Sequence, residues 1–175
     1  VTFSSLNCLE TLCNYKYGIK KYNFSDRFIV VLSGTVPGGG NSLQAVADTI
    51  RKYGLVEESD CPYVTRDKYY TIDEETKQKG RKWLDDWAVN YKAIRPGHDT
   101  YQQDIIDALQ YGPLAVGVAY ANGASDTEIL NPKGATNHFV ALVGYKKGEY
   151  WIVMDSYARK FKRYHWDYHF VGFFL

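Results

Sequence analysis

Cysteine is scarce in this chain: three in 175 residues, at positions 8, 13 and 61. An odd number without a dense framework excludes a disulfide-stapled scaffold and favours a reducing environment over an oxidising one. Charge of one sign is equally lacking, since 21 Lys plus Arg stand against 20 Asp plus Glu. Nothing in that balance calls for a polyanionic partner. No apolar run is long enough to span a bilayer, so no membrane partner is expected; that no signal peptide is visible is uninformative here. The chain opens VTFSSLNCLETL, without Met and inside a helical pattern, so its true start is expected upstream. Internal repeats and low-complexity tracts are absent too. What is plentiful is tyrosine, sixteen in all, which suggests a wide cleft or broad contact surfaces. The length fits one domain, or two small lobes sharing a cleft, with room for a real core.

The first half has helical spacing. Phe3, Leu6, Leu9, Leu12 and Cys13 recur at helical spacing, and Gly18 closes the pattern. GTVPGGGNS, from Gly34 to Ser42, is a turn-rich loop. A second helix places Leu43, Val46, Ala47 and Ile50 on one face, with Asn41 or Ser42 as cap and Gly54 at its end. Residues 66–93 are charged and contain tryptophan, and they suit a long excursion with partial helix. Thr100 to Gln110 is a short amphipathic helix stopped by Gly112-Pro113. The period then changes. Leu114–Tyr120, His138–Tyr145, Tyr150–Tyr157 and the tail from Tyr164 are rich in Val, Ile and aromatics, as strands are. Lys146-Lys147-Gly148 makes the hairpin turn between the middle two. The class is therefore α+β, with a seam near Pro96.

The chemistry concentrates in NHFVALVGYKKGEYWIVMDSY, residues 137–157. His138 heads one strand, and a hairpin later Asp155 ends the next, beside Tyr157. That arrangement suits a general base oriented by a carboxylate and shielded by an aromatic, the support a nucleophilic thiol requires. Cys8 and Cys13 are poor candidates for that thiol. Cys8 lies about 12 Å into the first helix at ~1.5 Å per residue, beyond the reach of the helix N-terminus. Both fit small core residues, and Cys61 beside Pro62 fits a loop thiol. His165 and His169 share a face without Cys or Glu to complete a metal site, so no metal and no cofactor are expected. RKFKRYHWDYHF, from Arg159 to Phe170, interleaves basic and aromatic residues. With net charge near zero it fits a twisted hairpin with one solvated face rather than a nucleic-acid surface. The triple glycine lacks the Lys-Ser/Thr of a phosphate-binding loop.

Five blocks in order resemble the papain-like cysteine peptidases. Val1-Thr2-Phe3-Ser4 is similar to the residues after the nucleophile in the family's CWAFS motif, with Val for Trp, and Glu10 falls where a glutamate is usual. Gly39-Gly40 resembles the paired glycines of the substrate-binding wall. Tyr53-Gly54-Leu55-Val56-Glu57-Glu58, leading to Pro62-Tyr63, and Gly112-Pro113-Leu114-Ala115-Val116 resemble two further segments, and the histidine block is the fifth. The resemblance implies a two-lobed α+β fold: a helical lobe over 1–95, then a β-barrel-like lobe over 96–175, with the active-site cleft between them. It implies hydrolysis of peptide or protein substrates through a thioester, by a cysteine immediately before Val1. His138 would be its base and Asp155 the orienter.

By the same resemblance Gly39 and Gly40 bind substrate backbone. Ser42, Gly117, Thr136 and Asn137 fall near the specificity pocket, which Ser42 and Gly117 are expected to leave roomy, and Tyr157 is counted with the substrate-binding residues. Departures are Asp155 where most members carry asparagine, Tyr157 for tryptophan, and Ala158 for glycine. An aspartate still accepts the ring N–H and attracts an imidazolium more strongly than an amide does. Two alternatives share these residues: an inactive relative that binds peptides or builds an assembly, and an acyltransferase using the same triad. The oligomeric state is left unassigned.

Overall fold

A computed structural model describes residues 1–18, 22–36, 39–64, 69–121, 127–157 and 160–174. Its first helix, α1 (Thr2–Lys16), starts at Val1, whose carbonyl accepts the Ser5 N–H at 3.1 Å and the Ser4 hydroxyl at 2.8 Å. Buried residues run all round α1: Thr2, Ser4, Ser5, Leu6, Cys8, Leu9 and Cys13. A helix with so many small buried residues is enclosed on several sides, and its neighbours come from both halves of the chain. Phe3, one of the apolar residues at helical spacing, is 52% exposed.

Two helices pack beside α1. The first, α2 (Asp26–Leu32), is capped by Ser25, whose Oγ accepts the Phe28 N–H at 3.1 Å. The second, α3 (Leu43–Tyr53), is capped by Ser42, whose Oγ accepts the Ala45 N–H at 3.0 Å. Leu6, Phe28, Ile29, Val46, Ile50 and Leu55 form the helical core, each such buried side chain contributing about 1.5–3 kcal/mol. The charged excursion contains a full helix, α4 (Glu74–Asp86), started by Asp73 accepting the Thr76 N–H at 2.7 Å. It buries only Thr76 and Gly80. Gly80 lies against Gly54, the end of α3 at φ +69°, where a Cβ would overlap the Gly80 carbonyl. Both the left-handed backbone and the close approach require glycine there.

The rest is a seven-stranded sheet with α5 (Tyr101–Leu109) packed on it. In chain order the strands are β1 (Lys92–Ile94), β2 (Leu114–Val118), β3 (Ile129–Leu130), β4 (His138–Lys146), β5 (Tyr150–Asp155), β6 (Lys160–His165) and β7 (Val171–Phe174). The spatial order is β1-β7-β2-β4-β5-β6-β3. Every pair is antiparallel except β3 with β6. The sheet is open, with β1 and β3 at its ends, rather than closed as a barrel. β1 precedes Pro96 yet pairs with β7 in this sheet. Trp151, Tyr164, Phe170, Leu114, Leu142 and Ile105 fill its core. A third cluster, Cys8, Leu43, Ala115 and Ala141, joins α1 and α3 to β2 and β4. That seam fixes the start of α1 against the head of β4.

Candidate active site

Register brings four strand ends together. Val118 of β2 pairs with His138 of β4, so Tyr120 emerges just beyond the histidine. Ala141 pairs with Met154, which puts His138 and Asp155 at the open end of the β4–β5 hairpin. Val153 pairs with Lys162, and Asp155 shares the face of Val153 by the period of two, so Lys162 lies diagonally across from Asp155.

His138 Nε2 is 2.8 Å from Asp155 Oδ1. The same oxygen accepts the Tyr157 N–H at 3.0 Å, and Oδ2 accepts from Lys162 Nζ at 2.7 Å. The Asp155 side chain is fully buried and that of His138 is 13% exposed. Burial pushes the Asp155 carboxyl up, but hydrogen bonds from Lys162, His138 and the Tyr157 N–H outweigh it, and the carboxyl is held below its usual value. An ionised Asp155 fixes the ring proton on Nε2 and leaves Nδ1 as a proton acceptor.

The imidazole is one corner of a cluster of three rings, the two tyrosines being 5.5 Å apart themselves. Tyr157 lies 4.8 Å away at 33°, and Tyr120 5.3 Å away nearly edge-on at 78°. The Tyr120 N–H donates to Asn137 Oδ1 at 2.8 Å. Sequence reasoning assigned the shield to Tyr157 alone. That ring is 61% exposed, and Tyr120 supplies the second cover. Ala158 lies outside the described residues.

His138 lines a cavity of about 640 Å³ with Val1, Thr2, Phe3, Gly39, Gly40, Asn41, Thr136, Asn137 and Tyr157 among its walls. The start of α1 and the head of β4 thus share one cleft. Among the described residues, none but the chain neighbours of Gly40 comes within 4 Å of where a Cβ would sit, so its surface there is open. At Gly39 a Cβ would instead come 2.7 Å from Val36 Cγ2, an internal reason for glycine. Ser42 is occupied as the cap of α3. Gly117 faces Thr136, whose Cγ2 lies 2.5 Å from where a Cβ would be, so Thr136 and Phe139 fill the space a side chain would take. The three cysteines are free and buried, and burial pushes all three thiols up. Cys61, expected as a loop thiol, packs in the helical core with Arg27 Nη1 3.6 Å from its Sγ.

Tyr120 and Lys162 are the site residues that sequence reasoning missed. The signal for Tyr120 was its place two residues after the β2 partner of His138. For Lys162 the only signal was its alternation with Tyr164, a buried position two residues on.

The description "Papain family cysteine protease" belongs to the family model that matches residues 1–166. No curated protein matches the chain. Among solved structures, the bromelain protease from Ananas comosus superposes with a TM-score of 0.67 at 16% identity, over 99% of this chain and 86% of that one. Digestive procathepsin L 3 of Tenebrio molitor gives 0.62 at 20% identity, covering 95% of this chain and 57% of that precursor. The Carica candamarcensis cysteine protease CMS1MS2 gives 0.62 at 16%, over 94% and 77%. At these identities the likeness carries the fold. No helix among the described residues is long and apolar enough to cross a membrane.

Proposed function

The chain belongs to the papain family of cysteine proteases, and from that premise we propose that it hydrolyses peptide bonds through a thioester. The observation that carries this reading is the 2.8 Å contact between His138 Nε2 and Asp155 Oδ1, on the wall of a cleft that Val1 also lines. A cysteine preceding Val1 would stand at the N-terminus of α1, where the helix dipole favours a thiolate. His138 Nδ1 takes the thiol proton, and the sulfur attacks the scissile carbonyl carbon. As the C–N bond breaks, His138 returns that proton to the departing amine. Water, deprotonated by His138, then attacks the thioester, releasing the carboxylic acid and restoring the thiol. Asp155 keeps the ring in the productive orientation throughout.

Residues 1–95 supply one wall of the cleft and 96–175 the other, with β1 crossing to the sheet. Substrate backbone runs along the open surface at Gly40 and beside Gly39. Thr136, Asn137 and Tyr157 face it from the opposite wall, and Ser42 and Gly117 lie behind these walls.

The test is covalent labelling of the full-length protein with an epoxide probe, followed by peptide mapping. One adduct on a cysteine immediately before Val1, prevented by excess peptide substrate, is the expected result. Serine, alanine or glycine encoded there, or a cysteine that does not label, overturns the hydrolase and leaves a peptide-binding role. Product analysis with an added amine separates hydrolysis from acyl transfer: free acid supports the proposal, and an amide as the main product overturns it.

A further inference from the structure

A lysine inside a sheet needs a reason, and Lys162 is 8% exposed. Strand β6 turns Tyr164 inward, but at Phe161, outward at 60% exposure, and at inward Lys162 it reverses the hydrophobic-in, polar-out pattern. Three contacts account for the ammonium. It donates to Asp155 Oδ2 at 2.7 Å and to the Ala121 carbonyl at 3.3 Å, and it lies 5.2 Å from the centre of the Tyr120 ring. Each contact ends on the support of His138: the carboxylate that holds it, the segment leaving β2, and the ring that covers it.

We propose that Lys162 is a positioning residue of the active site, clamping Asp155 Oδ2 so that Oδ1 stays aimed at His138 and offsetting the charge of that buried carboxylate. This rests on the reading of His138 as base and Asp155 as orienter. A carboxylate with one free oxygen can rotate about χ2 and present either oxygen, or neither, to the ring. Here Oδ1 is taken by His138 and the Tyr157 N–H, and Oδ2 by the lysine, so rotation in either direction breaks a charge-assisted bond. The electrostatic part is as direct. With Lys162 opposite it, Asp155 belongs to a neutral pair whatever the charge of the imidazole. The site therefore does not hold a lone negative charge while His138 is neutral and a thiol has yet to ionise. Among the described side chains, the ionisable groups around Asp155 are His138 from β4 and Lys162 and Tyr164 from β6. Tyr120 and Tyr157 close over the histidine.

The pair makes an unusual demand on mutants: each charge is harmful once the other is removed. The experiment is a cycle of Lys162→Met, Asp155→Asn and the double variant in the full-length protein, with Lys162→Gln as a donor that carries no charge. In K162M and K162Q the Asp155 carboxyl, followed by ¹³C NMR, titrates at higher pH than in the parent. This arm needs no activity, so it tests the pair even if the peptidase reading fails. In the active enzyme K162M lowers kcat about 10- to 100-fold through misorientation of the base, with KM little changed. The double variant, in which a neutral amide faces a neutral side chain, exceeds both single variants in thermal midpoint and in kcat/KM. An Asp155 titration that stays in place in K162M and K162Q, or a double variant no better than its parents, overturns the proposal.

Discussion

Asp155 at the end of β5 and Asp26 at the start of α2 both lose much of their contact with water, yet their carboxyls move in opposite directions. For Asp26, burial raises the value to about 7, and the like charges of Glu10 and Glu58 add to the rise. For Asp155, burial also pushes upward, but Lys162, His138 and the Tyr157 N–H together hold the carboxyl below its usual range. The sign is set by the neighbours. One aspartate has donors on both oxygens, and the other sits among carboxylates. A charge kept in the interior at neutral pH needs such donors to be worth its desolvation, and of the two only Asp155 belongs to the candidate active site.

The strongest way to break the comparison is to remove the supported carboxylate. Asp155→Ala leaves Lys162 charged and buried without its anion, which costs about 3–5 kcal/mol of stability. Loss of the orienter lowers kcat/KM by about 10²- to 10⁴-fold. Urea unfolding and peptide hydrolysis measure the two effects. A variant as stable as the parent would mean that Lys162 reaches water or another anion once Asp155 is gone.

Asp26→Asn has the opposite sign. A carboxyl raised in the folded state favours folding below its unfolded value of about 3.9 and loses that contribution as pH rises through about 7. The asparagine, neutral throughout, therefore matches the parent near pH 3.5 and exceeds it at pH 8. The gain is on the order of 1–2 kcal/mol, after discounting for partial exposure and for a charge that favours the first turn of α2. Asp155 runs the other way: its contribution is present above about pH 3.9 and fades as pH falls through its lower folded value. Unfolding of the parent and D26N across pH 3 to 8 distinguishes the two. A gain already present at pH 3.5 would come from packing rather than charge.

The same contrast explains what was legible in the sequence. The second and third helical patterns, the β4–β5 hairpin and the His138–Asp155 spacing follow from local periods and turn chemistry. Each is encoded within about twenty residues of chain. Lys162 was not legible, because a lysine between Phe161 and Arg163 reads as a solvated residue, and its shared parity with Tyr164 is a weak sign against that. Only the neighbouring strand shows that the inward position faces a carboxylate. Tyr120 was hidden in the same way, since it reads as the last residue of a strand that ends at Val118 and then turns over the histidine. The short α2 carries Phe28 to Leu32 as an unbroken apolar run with no visible period, and α4 hides behind charge with only Asp73 to mark its start. Phe3 misled in the other direction. Its helical spacing was right, but α1 buries mainly small residues of its own on several sides, and the large ring faces the cleft.

The smallest expected effect sharpens the comparison most finely, because it changes a neighbour of Asp26 and leaves the aspartate in place. Glu10 Oε1 accepts the Phe24 N–H at 2.8 Å, and a glutamine oxygen can accept the same bond. Glu10→Gln therefore removes a like charge while keeping the contact that ties α1 to the segment before α2. At pH 8 the variant should be more stable by about 0.5 kcal/mol, the scale of one partly solvated charge interaction. The Asp26 carboxyl should titrate below the parent's value of about 7, although burial, the larger cause, still holds it above the ordinary range. Carboxyl ¹³C shifts and urea unfolding at pH 8 read the two consequences independently. Should E10Q lose stability while Asp26 titrates lower, the bond to Phe24 needs a full negative charge on its acceptor. Should Asp26 not move at all, the charge of Glu10 does not set its value, and the difference from Asp155 rests on burial and on the donors that hold both oxygens of Asp155.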